Sequence, residues 1–97
     1  MFMKIHRSPE VGEIVAVCDR ELINTTLTSE KMKVIISPSF YGTSPATEDE
    51  VRDALQQAGS INLIGERAVS VAIGMGLVTR PGCIMIGTVP HAQVYML

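Results

Sequence analysis

The segment Ser60–Gly76, SINLIGERAVSVAIGMG, constrains the fold more than any other part of this chain. It is the longest apolar stretch, and its only charged residues are the neighbours Glu66 and Arg67. A segment with so little polar surface must be covered on most sides in the folded protein. We therefore expect the rest of the chain to be built around it.

Within this segment, short apolar runs separated by glycine predict two elements. Residues 61–64 are interpreted as a buried strand, and residues 66–75 as a helix that begins after Gly65. Gly76 provides the glycine that commonly ends a helix, followed by apolar residues that can pack back against it. The alternative is one continuous helix over residues 61–75.

The clearest helix signal elsewhere is the capping box formed by Thr47 and Glu50. It predicts a helix that carries one apolar stripe and ends at Gly59 in the left-handed conformation. Alternating or apolar runs predict further strands, and these lie at residues 2–7, 13–18, 31–37, 83–87 and 91–97.

The connecting segments show ordinary turn chemistry. Asp19 stops the second strand and is expected to cap the short helical turn that follows it. Residues 26–29 are interpreted as a connector. In the Pro- and Gly-containing loop 37–45, Phe40 and Tyr41 are expected to pin the loop to the body.

These elements predict an α+β fold in a single domain over residues 1–97. The expected architecture is a compact two-layer α/β sandwich. About five strands form a mixed or antiparallel sheet, and two main helices pack on one face.

The charge pattern limits the possible partners. A formal net charge of -2 with scattered basic residues argues against strong non-specific binding to nucleic acid. No stretch is long enough to cross a membrane, and the N-terminus lacks a signal-peptide pattern. The distant cysteines, Cys18 and Cys83, favour a cytoplasmic location.

The first candidate site is the corner formed by Gly65, Glu66 and Arg67. If a helix begins here, its unpaired N–H groups can hold a small anion, and Arg67 can add a bidentate contact. The alternative is structural: Glu66 complements the helix dipole, and Arg67 pairs with a surface carboxylate.

The second candidate site is the strand that begins around Pro90. His91 and Gln93 share a strand face, so His91 is a candidate general acid or base and Gln93 a candidate substrate contact. A solvated strand face is the structural alternative. Metal-ligand spacing is missing, so neither a metal site nor a cofactor is predicted.

Several motifs together resemble a small archaeal family known as the domain of unknown function 424 family. They are VCD at 17–19, FYG at 40–42, NLIGERAV at 62–69, GLV at 76–78 and VPHAQV at 89–94. The resemblance implies a compact two-layer α/β domain and an association with translation, but no established activity. Its signature positions fall on Asn62, Gly65, Glu66, Arg67, Pro90, His91 and Gln93.

Three functions therefore compete, and we expect the two candidate sites to lie together. The first is a small cytoplasmic binding module for a ribosome, RNA or a translation protein, contacted through Arg67, His91 and Gln93. The second is a small enzyme in which Arg67 holds an anionic substrate for His91. The third is a homo-oligomer whose motif residues serve only the fold.

Overall fold

The computed structural model describes residues 1–96 and contains seven strands and three helices in that range. The strands are β1 (Phe2–Ser8), β2 (Gly12–Cys18), β3 (Thr26–Thr28), β4 (Lys33–Ile35), β5 (Ser60–Ile64), β6 (Ile84–Ile86) and β7 (Val89–Tyr95). The helices are α1 (Pro38–Tyr41), α2 (Glu48–Gln56) and α3 (Glu66–Gly74). Single 3-10 turns lie at Arg20–Leu22 and Arg80–Gly82.

Five strands form one mixed sheet in the order β1-β2-β5-β7-β6. The strands β2 and β5 are parallel, and the other neighbouring pairs are antiparallel. The apolar segment supplies the central strand β5 and the helix α3, with Gly65 between them. The strand–glycine–helix prediction is therefore confirmed, and the single continuous helix is wrong.

The two longer helices pack on the same face of this sheet. The buried core on that face includes Val15, Val17 and Leu63 from the strands, Leu55 from α2 and Val69 from α3. These strand residues alternate with residues that point to the other face. The predicted α+β class, with two main helices on one face, is confirmed.

The opposite face of the sheet is also partly covered, which the sequence does not predict. A second buried cluster joins Cys18, Ile64 and Ile86 of the sheet to Ile36 and Tyr41. These covering residues come from α1 and from the segment next to the β3–β4 hairpin. The molecule therefore has a partial third layer beyond the predicted two.

Three local predictions in this region are wrong. Residues 26–29 are not a plain connector, since β3 lies there and pairs with β4. The strand predicted at 31–37 shrinks to Lys33–Ile35 and stays outside the main sheet. The loop 37–45 contains the short helix α1, although Tyr41 is buried as expected.

The helix ends follow local sequence signals in two cases out of three. The Thr47–Glu50 capping box is present at the start of α2. At the end of α3, Gly76 is left-handed, and the N–H of Leu77 donates to the Ala72 carbonyl. Gly59 does not stop α2 in that conformation. It is needed because a Cβ atom there would lie 1.6 Å from the Val11 carbonyl oxygen.

Within the described residues 1–96, we find no helix with the length and apolar character needed to span a bilayer.

Candidate functional site

The corner between β5 and α3 is built around Gly65. This residue has a φ of 108°, which disfavours other amino acids. Its N–H donates to the Pro90 carbonyl at 3.0 Å. A Cβ atom at this position would lie 2.3 Å from the carboxyl carbon of Asp19. Glycine therefore allows Asp19 to reach the start of the helix.

Asp19 caps α3 from a distant part of the chain. One of its carboxylate oxygens accepts from the Arg67 N–H at 3.0 Å, and the other accepts from the Ala68 N–H at 2.9 Å. The side chain of Asp19 makes no capping bond to the 3-10 turn that follows it. The prediction that Asp19 caps its own turn is therefore wrong.

The carboxylate of Asp19 occupies the position at the start of α3 where a small anion from solution was considered as a ligand. The carboxylate of Asp19 is only 4% exposed and occupies two of the first N–H groups of α3. A small anion at Gly65–Arg67 would have to compete with it. The Asp19 carboxylate therefore disfavours a second anion here, and the anion site stays a prediction.

The two charged residues of the corner also have partners within the chain. A guanidinium nitrogen of Arg67 lies 3.0 Å from both carboxylate oxygens of Glu21. Glu66 pairs with Arg80 at 2.8 Å, and the hydrogen bond from Arg80 lowers the pKa of the Glu66 carboxyl. Arg67 thus pairs with a surface carboxylate, as the structural alternative predicts. Glu66 was predicted to complement the helix dipole, and in the structure it also forms an ion pair with Arg80.

Pro90 completes the corner from the neighbouring strand. It lies in β7, an interior strand, where a residue without an N–H normally costs a ladder hydrogen bond. Here the missing donor would face Gly65, at the point where β5 ends. The carbonyl of Gly65 instead accepts from the Val69 N–H in the first turn of α3. The proline thus coincides with the strand-to-helix transition.

His91 belongs to a polar network on the sheet face away from α2 and α3. The Asn62 side-chain oxygen accepts from the Tyr41 hydroxyl at 2.6 Å and lies 3.3 Å from His91 Nε2. Burial raises the pKa of the Tyr41 hydroxyl and lowers that of His91. Because the oxygen is an acceptor, this hydrogen bond requires a proton on His91 Nε2.

Gln93 and Tyr95 continue the same strand face into solvent. The Gln93 amide donates to the Tyr95 hydroxyl at 3.2 Å, and Tyr95 is 66% exposed. We define the open sheet face as the four residues Asn62, His91, Gln93 and Tyr95. Tyr95 was not predicted as a site residue, although it alternates with His91 and Gln93 in the sequence.

The strand residues of the sheet face that includes this surface contain no carboxylate. Strand pairing places the residues in three rows across the face. The rows contain Phe2, Cys18, Ile64, His91 and Ile84; Lys4, Ala16, Asn62 and Gln93; and His6, Ile14, Ser60 and Tyr95. Both histidines and one lysine therefore lie here, while all ten acidic residues lie elsewhere.

The two predicted sites meet at the corner, where Gly65 and Glu66 of the first and Pro90 of the second line one cleft. Gly65 and Pro90 are hydrogen-bonded, yet Arg67 contacts Glu21 whereas His91 contacts Asn62. This cleft has a volume of about 180 Å³, and the carboxylates of Asp19 and Glu21 also line it. The candidate residues thus separate into a corner group and a sheet-face group.

The structure gives His91 a side-chain amide as its hydrogen-bonding partner. A general acid or base usually has an orienting group and a reacting group within hydrogen-bonding distance. In the described part of the chain, no three His, Cys, Asp or Glu side chains come together as a metal site.

Comparison with known proteins identifies a family but no activity. The family described as "Protein of unknown function (DUF424)" matches residues 6–97, so the chain belongs to this family. A crystal structure of an uncharacterized conserved protein from Methanopyrus kandleri is similar at a TM-score of 0.82 and 30% identity. The match covers 99% of this chain and 90% of that one. None of the curated proteins matches the chain.

Proposed function

We propose that this DUF424 protein is a non-catalytic binding module that holds a short single-stranded RNA segment on its open sheet face. The observation that carries the proposal is the exposed Tyr95 beside Gln93 and His91, among strand rows that contain no carboxylate. Exposed aromatic rings on a sheet stack unpaired bases, and neighbouring amide and imidazole groups can bond base edges.

The charge distribution supports a base-reading surface over a phosphate-reading one. Lys4 is the only Lys or Arg in the three rows of this face, and its Nζ donates to the Ser39 carbonyl at 2.9 Å. Duplex nucleic acid is held mainly through phosphates and requires several cations. A surface with one lysine suits unpaired bases, such as those of a ribosomal RNA loop, and this matches the expected association with translation.

The state of the two cysteines supports a cytoplasmic location for the proposed module. Both cysteines are free thiols, Cys18 in the core and Cys83 half-buried. Burial raises the pKa of the Cys18 thiol to about 11, so it stays protonated and unreactive. Two cysteines that form no disulfide are typical of a protein in a reducing compartment.

Fluorescence anisotropy with labelled single-stranded RNA tests the proposal. The probes are homopolymer oligonucleotides of each base, with a duplex of equal length for comparison. We expect single strands to bind more tightly than the duplex, with a shallow salt dependence because roughly one or two phosphates are neutralised. Tyr95→Ala should weaken binding roughly tenfold, since one base–aromatic stack is worth about 1–3 kcal/mol.

A matched control is Gln57→Ala, which removes an exposed side chain at the end of α2, on the helix side of the sheet. Its affinity should equal that of the wild type. Equal affinities for Tyr95→Ala and the wild type, or tighter binding of the duplex, would contradict the proposed surface.

A further inference from the structure

The free edge of the sheet at β6 carries an unusual concentration of exposed apolar side chains. Ile84 is 56% exposed, Met85 is 51% exposed, and Met32 in the β3–β4 loop is 44% exposed. Together with the rest of that loop, residues 29–32, they line a groove of about 310 Å³. This groove lies at the sheet edge and does not include any residue of the open sheet face.

The main chain of Met85 points out of this edge. Met85 lies opposite Pro90, whose carbonyl accepts from the Gly65 N–H and therefore faces β5. In an antiparallel pair, the N–H and C=O of one residue point to the same side, and bonded pairs alternate with non-bonded pairs. Met85 is thus in a non-bonded pair with Pro90, and its N–H and C=O face the free edge.

We propose that β6 pairs with β6 of a second copy of this chain, about a two-fold axis beside Met85. Met85 is the central residue of a three-residue strand, so each copy donates its N–H to the carbonyl of the other. Antiparallel pairing then places Ile84 opposite Ile86 of the second copy. The two sheets join into one continuous ten-stranded sheet, and the exposed edge on each copy is covered.

The charges on the groove rim are self-complementary, as a two-fold interface requires. Glu30 and Lys31 are adjacent at the groove and exposed, and neither appears in an ion pair within residues 1–96. In the proposed dimer, Glu30 of each copy pairs with Lys31 of the other. A partner with a uniformly charged surface would not satisfy both residues.

The size of the surface sets the expected strength of the pairing. One short strand and the adjoining loop form an interface at the low end of the specific range, below about 1,200 Å² in total. The dimer should therefore be weak and depend on concentration. The dimer surface is different from the proposed RNA site, so a test of one does not decide the other.

Sedimentation velocity of the purified protein tests the inference. We expect the weight-average mass to rise from monomer to dimer as the protein concentration increases from roughly 5 to 500 µM, as for a dissociation constant in the micromolar range. Met85→Lys places a charge on the edge strand and should leave a monomer throughout. The matched control is Ile5→Lys on the opposite edge strand β1, which should dimerise like the wild type because Ile5 is similarly exposed, at 39%.

A charge swap tests the two-fold geometry without touching β6. Glu30→Lys and Lys31→Glu should each weaken the dimer about tenfold, and the double variant should restore it. Far-ultraviolet circular dichroism confirms that each variant is folded. A wild type that stays monomeric, growth beyond the dimer, loss of the dimer in Ile5→Lys or no recovery in the double variant would overturn the inference.

Discussion

Asp19 illustrates how one buried charge can organise a corner of the protein. Its carboxylate accepts from two N–H groups at the start of α3, and its own N–H donates to the Ile64 carbonyl. Gly65 leaves the space that this carboxylate fills. The two residues are therefore expected to act as a single energetic unit.

A double-mutant cycle tests this coupling. Gly65→Ala should cost about 3 kcal/mol of unfolding free energy, through backbone strain and contact with Asp19. Asp19→Ala should cost about 2 kcal/mol through loss of the cap. Asp19→Ala removes the two closest contacts of the new Cβ, at 2.3 and 2.6 Å, and leaves the 2.7 Å contact with the Cβ of residue 19, so the double variant should lose less than the sum. Urea denaturation measures all four proteins, and strictly additive costs would refute the coupling.

His91 should make stability depend on pH. Burial lowers the pKa of folded His91 below its ordinary value of 6.5, so between those two values the unfolded chain binds more protons. The free energy of unfolding should therefore fall as the pH decreases from 6.5 toward the folded pKa. Urea denaturation of the wild type and His91→Gln across this range should show a stability difference that changes with pH. A constant difference would argue against a neutral, half-buried His91.

Residue roles were predictable where the partner lies nearby in sequence. Thr47 and Glu50 are three positions apart, and the capping box is present as predicted. Asp19 and Ala68 are 49 positions apart. The sequence offers a local helical turn for Asp19 to cap, and only the parallel pairing of β2 with β5 brings it to α3 instead.

At the scale of elements, strong apolar patterns determined what could be predicted. The helices α2 and α3 and the strands β1, β2, β5, β6 and β7 all correspond to predicted segments. The hairpin of β3 and β4 was missed because each strand has three residues, and β3 has threonine at both ends. Its position depends on packing of Leu27 and Val34 against the second core cluster, which is a tertiary contact.

The packing between elements makes a prediction about two glycines. Gly59→Ala should cost roughly 2 kcal/mol of unfolding free energy, because the new Cβ overlaps the Val11 carbonyl between β1 and β2. Gly74→Ala is the control, since Gly74 is helical with open space around it, and it should be neutral or stabilising by up to about 1 kcal/mol. Thermal or urea denaturation of both variants and the wild type measures these changes in unfolding free energy. Equal stabilities would contradict the close approach at Gly59.

At the scale of the whole molecule, charge separates the two faces of the sheet. The helix side carries the four acidic residues of α2, whereas three rows of the other side contain no carboxylate. The net charge of -2 averages over this asymmetry. The sequence could therefore indicate that strong binding to phosphates is unfavourable, but the location of the carboxylate-free surface required the strand register.

The candidate site was predictable only in part for the same reason. Seven signature positions were identified, but their division into a corner group and a sheet-face group depends on the pairing of β5 with β7. Gly65, Glu66, Arg67 and Pro90 serve the strand-to-helix corner. Asn62, His91 and Gln93 lie on the open sheet face with Tyr95, and the proposal of RNA binding rests on this second group.

The most direct test of this division is a ¹⁵N–¹H NMR titration with the single-stranded RNA oligonucleotide that binds most tightly. We expect the largest chemical-shift changes at the amides of Asn62, His91, Gln93 and Tyr95, with little change at Glu66 and Arg67. Changes centred on Glu66 and Arg67, or no change at saturating RNA, would contradict RNA binding on the open sheet face.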